Sequence, residues 1–212
     1  MKRSIDVVVA SVALVLLSPL MLVAALAVRL TLGSPVLFRQ QRAGRGGQAF
    51  ELLKFRSMRA PEPGQEGPTH DMQRLSRLGS LLRKTSVDEL PSLLNVLRGD
   101  LSLVGPRPLP MAYVARYSPE QARRLEVRPG LTGWAVVHGR NRLSWEQRFE
   151  LDCWYVEHQS LWLDLRILLR SVALVLRGSD VNHGTALTMS EFRGDNTGHA
   201  PVSASNERDT HG

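Results

Sequence analysis

Cysteine is nearly absent from this chain. Cys153 stands alone among 212 residues, so no intrachain disulfide can form and the fold does not need an oxidising compartment. The six histidines are scattered, and none sits at metal-ligand spacing from another histidine or from Cys153, which argues against a zinc site. There is no internal repeat, and the length suits one ordinary domain with its own core. Negative charge is also in short supply. Asp and Glu number 20 against 27 Lys and Arg, for a formal charge of +7 and a pI near 10.4. Such a surface favours nucleic acid, acidic lipid headgroups or phosphate-bearing substrates, and composition does not choose among them.

What the chain does have is one long apolar run, the 22 uncharged residues from Val7 to Val28 between Asp6 and Arg29. About 20 apolar residues cross a bilayer core as a helix. A cleaved signal peptide has Lys2, Arg3 and the small-x-small Ala25-Leu26-Ala27 in its favour, but the run exceeds the ~7–15 residues of a signal core. A plain span meets a charge conflict. Lys2 and Arg3 precede the run, while Arg29, Arg39, Arg42, Arg45, Lys54, Arg56 and Arg59 follow it against Glu51 alone. Both flanks then prefer the cytoplasmic side. Ser18-Pro19 offers a resolution, because proline removes a backbone donor and Ser18 can serve the groups this frees. From Val7 to Pro19 a helix rises only ~18 Å of the ~30 Å core. The working expectation is a re-entrant helix hairpin over residues 1–32, broken at Ser18 and Pro19.

Beyond it, Pro35–Phe38 and Ala49–Phe55 read as strands around a Gly44–Gly47 turn, and residues 60–70 as an exposed loop. Met72–Lys84 carries a helical leucine stripe. Ser86 is placed to open another helix, closed by Gly99. Gly105-Pro106-Arg107-Pro108 forbids regular structure, Pro119–Leu125 is a short helix, and 129–140 is a glycine-punctuated loop around short strands. From Ser144 a longer helical region mixes Trp145, Trp154, Tyr155 and Trp162 with Arg166, Arg170 and Arg177. That pattern suits either a membrane headgroup boundary or an ordinary buried helix. Residues 178–212 are polar and aperiodic, and read as a mobile tail.

The chemistry concentrates in Lys84-Thr85-Ser86-Val87-Asp88-Glu89-Leu90-Pro91. Ser86-x-x-Glu89 can be a capping box, with the acids merely complementing a helix dipole. Its neighbours point further. Arg83 and Lys84 precede the pair, Arg98 closes the helix, and Arg107 follows in a proline-framed turn. Arginine suits forked binding of phosphate, and adjacent carboxylates can share magnesium with phosphate oxygens. Lys54-Phe55-Arg56-Ser57-Met58-Arg59 could hold a second phosphate or be a solvated strand edge.

These residues resemble the small monotopic phosphoglycosyl transferases, the bacterial sugar transferases that begin glycan assembly on undecaprenyl phosphate. The resemblance spans Lys2 to about Gly178. It rests on Lys2-Arg3-x-x-Asp6, Ser18-Pro19, Lys54-Phe55-Arg56-Ser57-Met58, Ser86-x-Asp88-Glu89-Leu90-Pro91, the run Gly99 to Pro108, and Arg128-Pro129-Gly130-Leu131-Thr132-Gly133-Trp134 in one order. It implies an α+β, mostly helical fold: the re-entrant membrane hairpin, a compact cytosolic catalytic domain over 33–177 with few short strands and amphipathic interface helices, and the tail. It also implies transfer of a sugar-1-phosphate from a UDP-sugar to polyprenyl phosphate, with UMP leaving. Asp88 would be the nucleophile and form a phosphosugar-aspartyl intermediate. Asp88 and Glu89 would hold Mg²⁺, and Arg83 and Arg107 would bind phosphate. Lys54, Arg56, Arg128 and Asn141 are softer assignments.

A carboxylate at a helix N-terminus is expected to keep a low pKa. The implied location is the bacterial inner membrane, with the catalytic domain on its cytoplasmic face among membrane lipids. Nucleic acid is not an expected partner, since charge alone would not require Asp88-Glu89 beside a proline-framed Arg107, and self-association is left open. The rival reading is an inactive membrane scaffold of the same fold. Larger relatives carry extra transmembrane helices and a further domain ahead of this core, whereas this chain is expected to start at the core. The tail matches nothing in the shared pattern.

Overall fold

The computed structural model describes residues 1–60, 71–139, 142–177 and 191–194. Helix α1 (Lys2–Leu32) leads into an antiparallel ribbon, β1 (Leu37–Ala43) and β2 (Ala49–Phe55), whose register pairs Phe38 with Lys54. The expected leucine-striped helix is two pieces, α2 (Asp71–Arg74) and α3 (Arg77–Lys84). The break falls where the Ser76 hydroxyl accepts from Gly79 N and caps the second piece. A 3₁₀ turn (Val87–Glu89), α4 (Ser92–Arg98) and β3 (Ser102–Val104) follow, then a 3₁₀ stretch (Met111–Arg116) and α5 (Pro119–Ala122). β4 (Gly130–Thr132) pairs parallel with β3, and α6 (Trp134–His138) stands where a loop was expected. A capping box of Ser144 with Gln147 starts α7 (Trp145–His158), and Ser160 caps α8 (Leu161–Leu176).

Among the described residues α1 is the one helix long and apolar enough to cross a membrane. The expected break does not interrupt it, since helix runs continuously through Pro19. Proline lacks the N–H that would bond the Val15 carbonyl four residues back, and Ser18 Oγ donates to that same carbonyl at 2.8 Å. The segment is therefore one helix rather than two separate ones. Both ends of α1 nevertheless pack on one globular body, Ala10 against α4 and α8 residues, and Ala24 and Val28 against Phe55 and Leu82. Between them Val12, Val15 and Leu16 are exposed, Val15 to 73%.

The first residues of α1 do more than flank an apolar run. Lys2 Nζ donates to Val104 O at 3.1 Å and pairs with Asp164, and Arg3 donates to the α4 carbonyls Val96 O and Leu97 O at 2.6 and 3.0 Å. Buried Asp6 accepts from Ser102 Oγ at 2.8 Å and Leu103 N at 3.1 Å. Lys2-Arg3-x-x-Asp6 thus locks the helix onto β3, the strand that delivers Arg107.

The main core joins Phe50, Leu52, Leu93, Val96, Leu101, Leu103, Tyr155 and Ile167. The two C-terminal helices differ in what they bury. α7 buries Phe149 and Tyr155, whereas α8 buries Leu163 and Ile167 and exposes Trp162, Leu165, Leu169 and Val172. A further cluster gathers Leu109, Phe149 and Phe192 with Tyr113, Tyr117 and Trp145. Phe192 belongs to the stretch expected to be a mobile tail. Residues 191–194 depart from that expectation because an aromatic ring finds a seat; the rest of 178–212 lies outside the described residues.

Candidate active site

Three pieces of backbone bring the charged residues together. β2 delivers Lys54, and the end of α3 delivers Arg83. The chain then passes through Ser86, whose φ of 57° is the only positive value of a non-glycine among the described residues. Such a conformation costs of order 1–3 kcal/mol and gathers at functional sites. Ser86 makes no side-chain cap, so the expected capping box is not formed. Its left-handed backbone turns the chain into the 3₁₀ turn, closed by Glu89 N to Ser86 O and Leu90 N to Val87 O, both at 3.2 Å. Asp88 and Glu89 therefore sit on a tight turn ahead of α4, not on the first turn of an α-helix.

Arg107 arrives from the other side. The turn after β3 is clamped by Gly105 N to Thr132 O and Gly130 N to Pro106 O, both at 2.9 Å. The backbones run so close that a Cβ on Gly130 would lie 2.1 Å from Gly105 N. Much of the Arg128–Trp134 motif is thus explained by backbone packing that fixes Arg107.

The result is a compact charge cluster. Glu89 Oε1 accepts from Lys54 Nζ at 2.6 Å and from Arg107 Nη2 at 3.0 Å. Arg83 Nε donates to Ser57 Oγ at 3.0 Å. Asp88 is buried, and its pKa is pushed up to about 6, first by burial and then by the Glu89 charge, against the pull of Lys54, Arg83 and Arg107. The expectation of a low pKa is corrected accordingly. Burial also pushes Glu89 up, but Lys54 and Arg107 outweigh it and hold that carboxyl well below the usual range. Burial lowers Lys54, with Glu89 opposing, while Glu89 raises Arg107. Half-buried Arg42 also faces Arg107 and is lowered to about 10, by desolvation and then by that like charge.

Asp88, Glu89, Lys54, Arg83 and Arg107 share one electrostatic environment. Arg56 and Arg128 are not part of it. Arg56 Nη1 donates to Ser34 O at 2.9 Å and ties β2 to the linker after α1. Arg128 Nε donates to Gly99 O at 3.0 Å, at the far end of α4 from the dyad. It lines a cleft of about 420 Å³ with Arg45, Phe50 and Asp100, which none of the dyad residues joins. Asn141 lies outside the described residues.

Among the described residues no three His, Cys, Asp or Glu side chains gather to hold a metal. The dyad alone supplies two carboxylates, a donor set that fits magnesium only if substrate oxygens and water complete it.

Sequence reasoning missed the support behind Arg107. Arg124, 2% exposed, donates to Asp152 Oδ2 at 2.6 Å, to Tyr117 OH at 3.1 Å and to the Arg107 carbonyl at 2.7 Å. The residues converge from 107, 117, 124 and 152, and no local spacing announces them.

Comparison with known proteins adds to this geometry. A family model described as bacterial sugar transferase matches residues 1–178. An uncharacterized sugar transferase, EpsL of Bacillus subtilis, is 48% identical over 92% of this chain and 96% of its own length. A UDP-glucose:undecaprenyl-phosphate glucose-1-phosphate transferase of Caulobacter vibrioides is 46% identical over 82% of this chain and 69% of its own. An undecaprenyl-phosphate N-acetylgalactosaminephosphotransferase of Aeromonas hydrophila is 39% identical over 84% of this chain but 44% of its own length.

Proposed function

The chain belongs to the bacterial sugar transferase family, and from that membership we propose that it is a phosphoglycosyl transferase moving a sugar-1-phosphate from a UDP-sugar to undecaprenyl phosphate, with release of UMP. The observation that carries this reading is buried Asp88, set beside Lys54, Arg83 and Arg107 while Glu89 holds two of those cations in place. A diphosphate brought against these cations faces a carboxylate whose pKa of about 6 lies below neutral pH, so the ionised form is available to attack.

In the proposed reaction an Asp88 carboxylate oxygen bonds to the β-phosphorus, and the bond from that phosphorus to the bridging oxygen breaks. UMP leaves with the bridging oxygen, and the phosphosugar stays on Asp88. An oxygen of the carrier phosphate then attacks the same phosphorus and the bond to Asp88 breaks. The products are a polyprenyl diphosphosugar and free Asp88. Arg83, Arg107 and Lys54 offset the repulsion between the anions that must meet. Asp88 and Glu89 are the residues that would hold Mg²⁺, which supplies further neutralisation of the diphosphate and the departing UMP.

Purified protein given Mg²⁺, undecaprenyl phosphate and a panel of UDP-sugars is expected to release UMP. Asp88→Asn is expected to abolish that release, and parent activity to fall as pH drops below about 6. Full UMP release by Asp88→Asn protein would remove Asp88 as nucleophile. Turnover that needs the carrier also rules out the inactive scaffold.

We place the protein at the bacterial inner membrane with its body on the cytoplasmic face. The support is the exposed apolar middle of α1 between two ends seated on one body, and the exposed Trp162, Leu165 and Leu169 of α8. The helix would then dip into the bilayer and return to the same face, bringing Asp88 to the level of the carrier's phosphate. Cysteines at Ser4 and Gln40 should be labelled from the same side of sealed vesicles; labelling from opposite sides sinks the arrangement.

A further inference from the structure

The family match ends at residue 178, yet residues 191–194 are seated on the body through Phe192. Phe192 is 3% exposed. Its ring lies 5.0 Å from Phe149, 5.6 Å from Trp145, 5.7 Å from Tyr113 and 6.0 Å from Tyr117. Arg116 Nη1 donates to Glu191 Oε1 at 2.7 Å and also to the Phe192 carbonyl. A large apolar ring and an ion pair thus anchor the same short segment.

Two of the rings that Phe192 touches are the ones that hold Arg124. The Arg124 guanidinium stands 5.7 Å from the Tyr117 ring centre and 5.5 Å from that of Phe149. Its Nη1 donates to Tyr117 OH at 3.1 Å, and its Nη2 to the Arg107 carbonyl at 2.7 Å. Arg107 in turn reaches Glu89 at 3.0 Å. An unbroken series of contacts therefore joins the C-terminal segment to the dyad. Without Phe192, Tyr117 and Phe149 would lose packing, and the Arg107 turn would lose part of its backing.

Resting on the transferase reading, we propose that Glu191–Gly194 is a C-terminal clasp, and that Phe192 is a positioning residue holding Arg107 over the dyad through Tyr117 and Arg124.

The test uses the full chain. Phe192→Ala is expected to lower kcat/KM for UMP release by roughly tenfold to a hundredfold, measured well below the melting temperature. Phe192→Leu should keep most of the activity. Arg116→Gln opens no core cavity and should lower activity in the same direction by less. In an Arg107→Lys background, Phe192→Ala should add much less than it does alone, because both changes act on one contact. Hydrogen exchange at residues 105–109 should quicken in Phe192→Ala and Arg116→Gln, and this reading needs no turnover. Parent kinetics in Phe192→Ala, full additivity with Arg107→Lys, or unchanged exchange at 105–109 would each overturn the clasp. Faster exchange in a protein whose parent releases no UMP keeps the clasp and sinks the reaction instead.

Discussion

Two buried charge clusters lie on either side of Arg107, and they are built to opposite ends. Around Arg124 the buried carboxylate of Asp152 is hydrogen-bonded to its cation, with Arg148 also facing it. Two nitrogens of its guanidinium reach Asp152 Oδ2 at 3.1 and 2.6 Å, and the remaining contacts go to Tyr117 and the Arg107 carbonyl. Burial lowers Arg124, but Asp152 and Tyr117 outweigh it and keep the guanidinium charged. Around the dyad Glu89 takes the ion pairs to Lys54 and Arg107, and at Asp88 burial and the Glu89 charge outweigh the pull of Lys54, Arg83 and Arg107. The first arrangement holds structure in place; the second keeps a carboxylate in a state the fold disfavours. In the proposed reaction Asp88 is the group that reacts, and Glu89 pairs with Lys54 and Arg107.

The sharpest way to break this contrast is Arg124→Met. Removing one partner of a buried pair leaves Asp152 without its hydrogen-bonded cation and with Arg148 as the charge still facing it, at a cost of about 3–5 kcal/mol, so a large drop in melting temperature is expected. A drop no larger than that of an exposed pair such as Arg39–Glu51 would erase the distinction.

Asp88→Asn should move stability the other way. The folded pKa of about 6 lies above the ordinary 3.8, so the fold favours the protonated form. That favourable contribution is full below the ordinary value and lost as pH rises through about 6. The variant should therefore be the more stable protein at pH 7.5, by up to about 3 kcal/mol. The difference should close as pH falls below about 4. Equal denaturation midpoints at pH 7.5 would show that Asp88 carries no such penalty.

The smallest effect is expected at Ser86. Its side chain makes no cap and its backbone is left-handed, so Ser86→Gly should be neutral or stabilising by up to about 1 kcal/mol. Loss of stability by urea unfolding would mean that the hydroxyl does matter.

Much of the ribbon and the helical order was legible because it rests on local patterns: alternation in Ala49–Phe55, a glycine turn before it, and Gly99 in the left-handed conformation that ends α4. The dyad and Arg107 were legible as motifs. Ser86 was misread because a capping box and a left-handed turn share the same letters, and packing of the preceding α3 against Ser57 decides between them. The carbonyl contacts of Arg56 and Arg128 were not legible, because a basic residue in a motif looks alike whether it meets phosphate or a carbonyl. Phe192 was hidden because a single aromatic in a polar stretch has no periodicity to betray it.

By itself the sequence determined that one long apolar run leads a basic domain, and that two carboxylates lie among arginines. Those facts follow from composition and near-neighbour spacing, which the chain carries without folding. Only the tertiary structure decided which cations pair with Glu89, that Asp88 is buried with a raised pKa, and that both ends of α1 sit on one body. Desolvation and ion pairing depend on what residues distant in sequence bring to the same place, and no local pattern encodes that meeting.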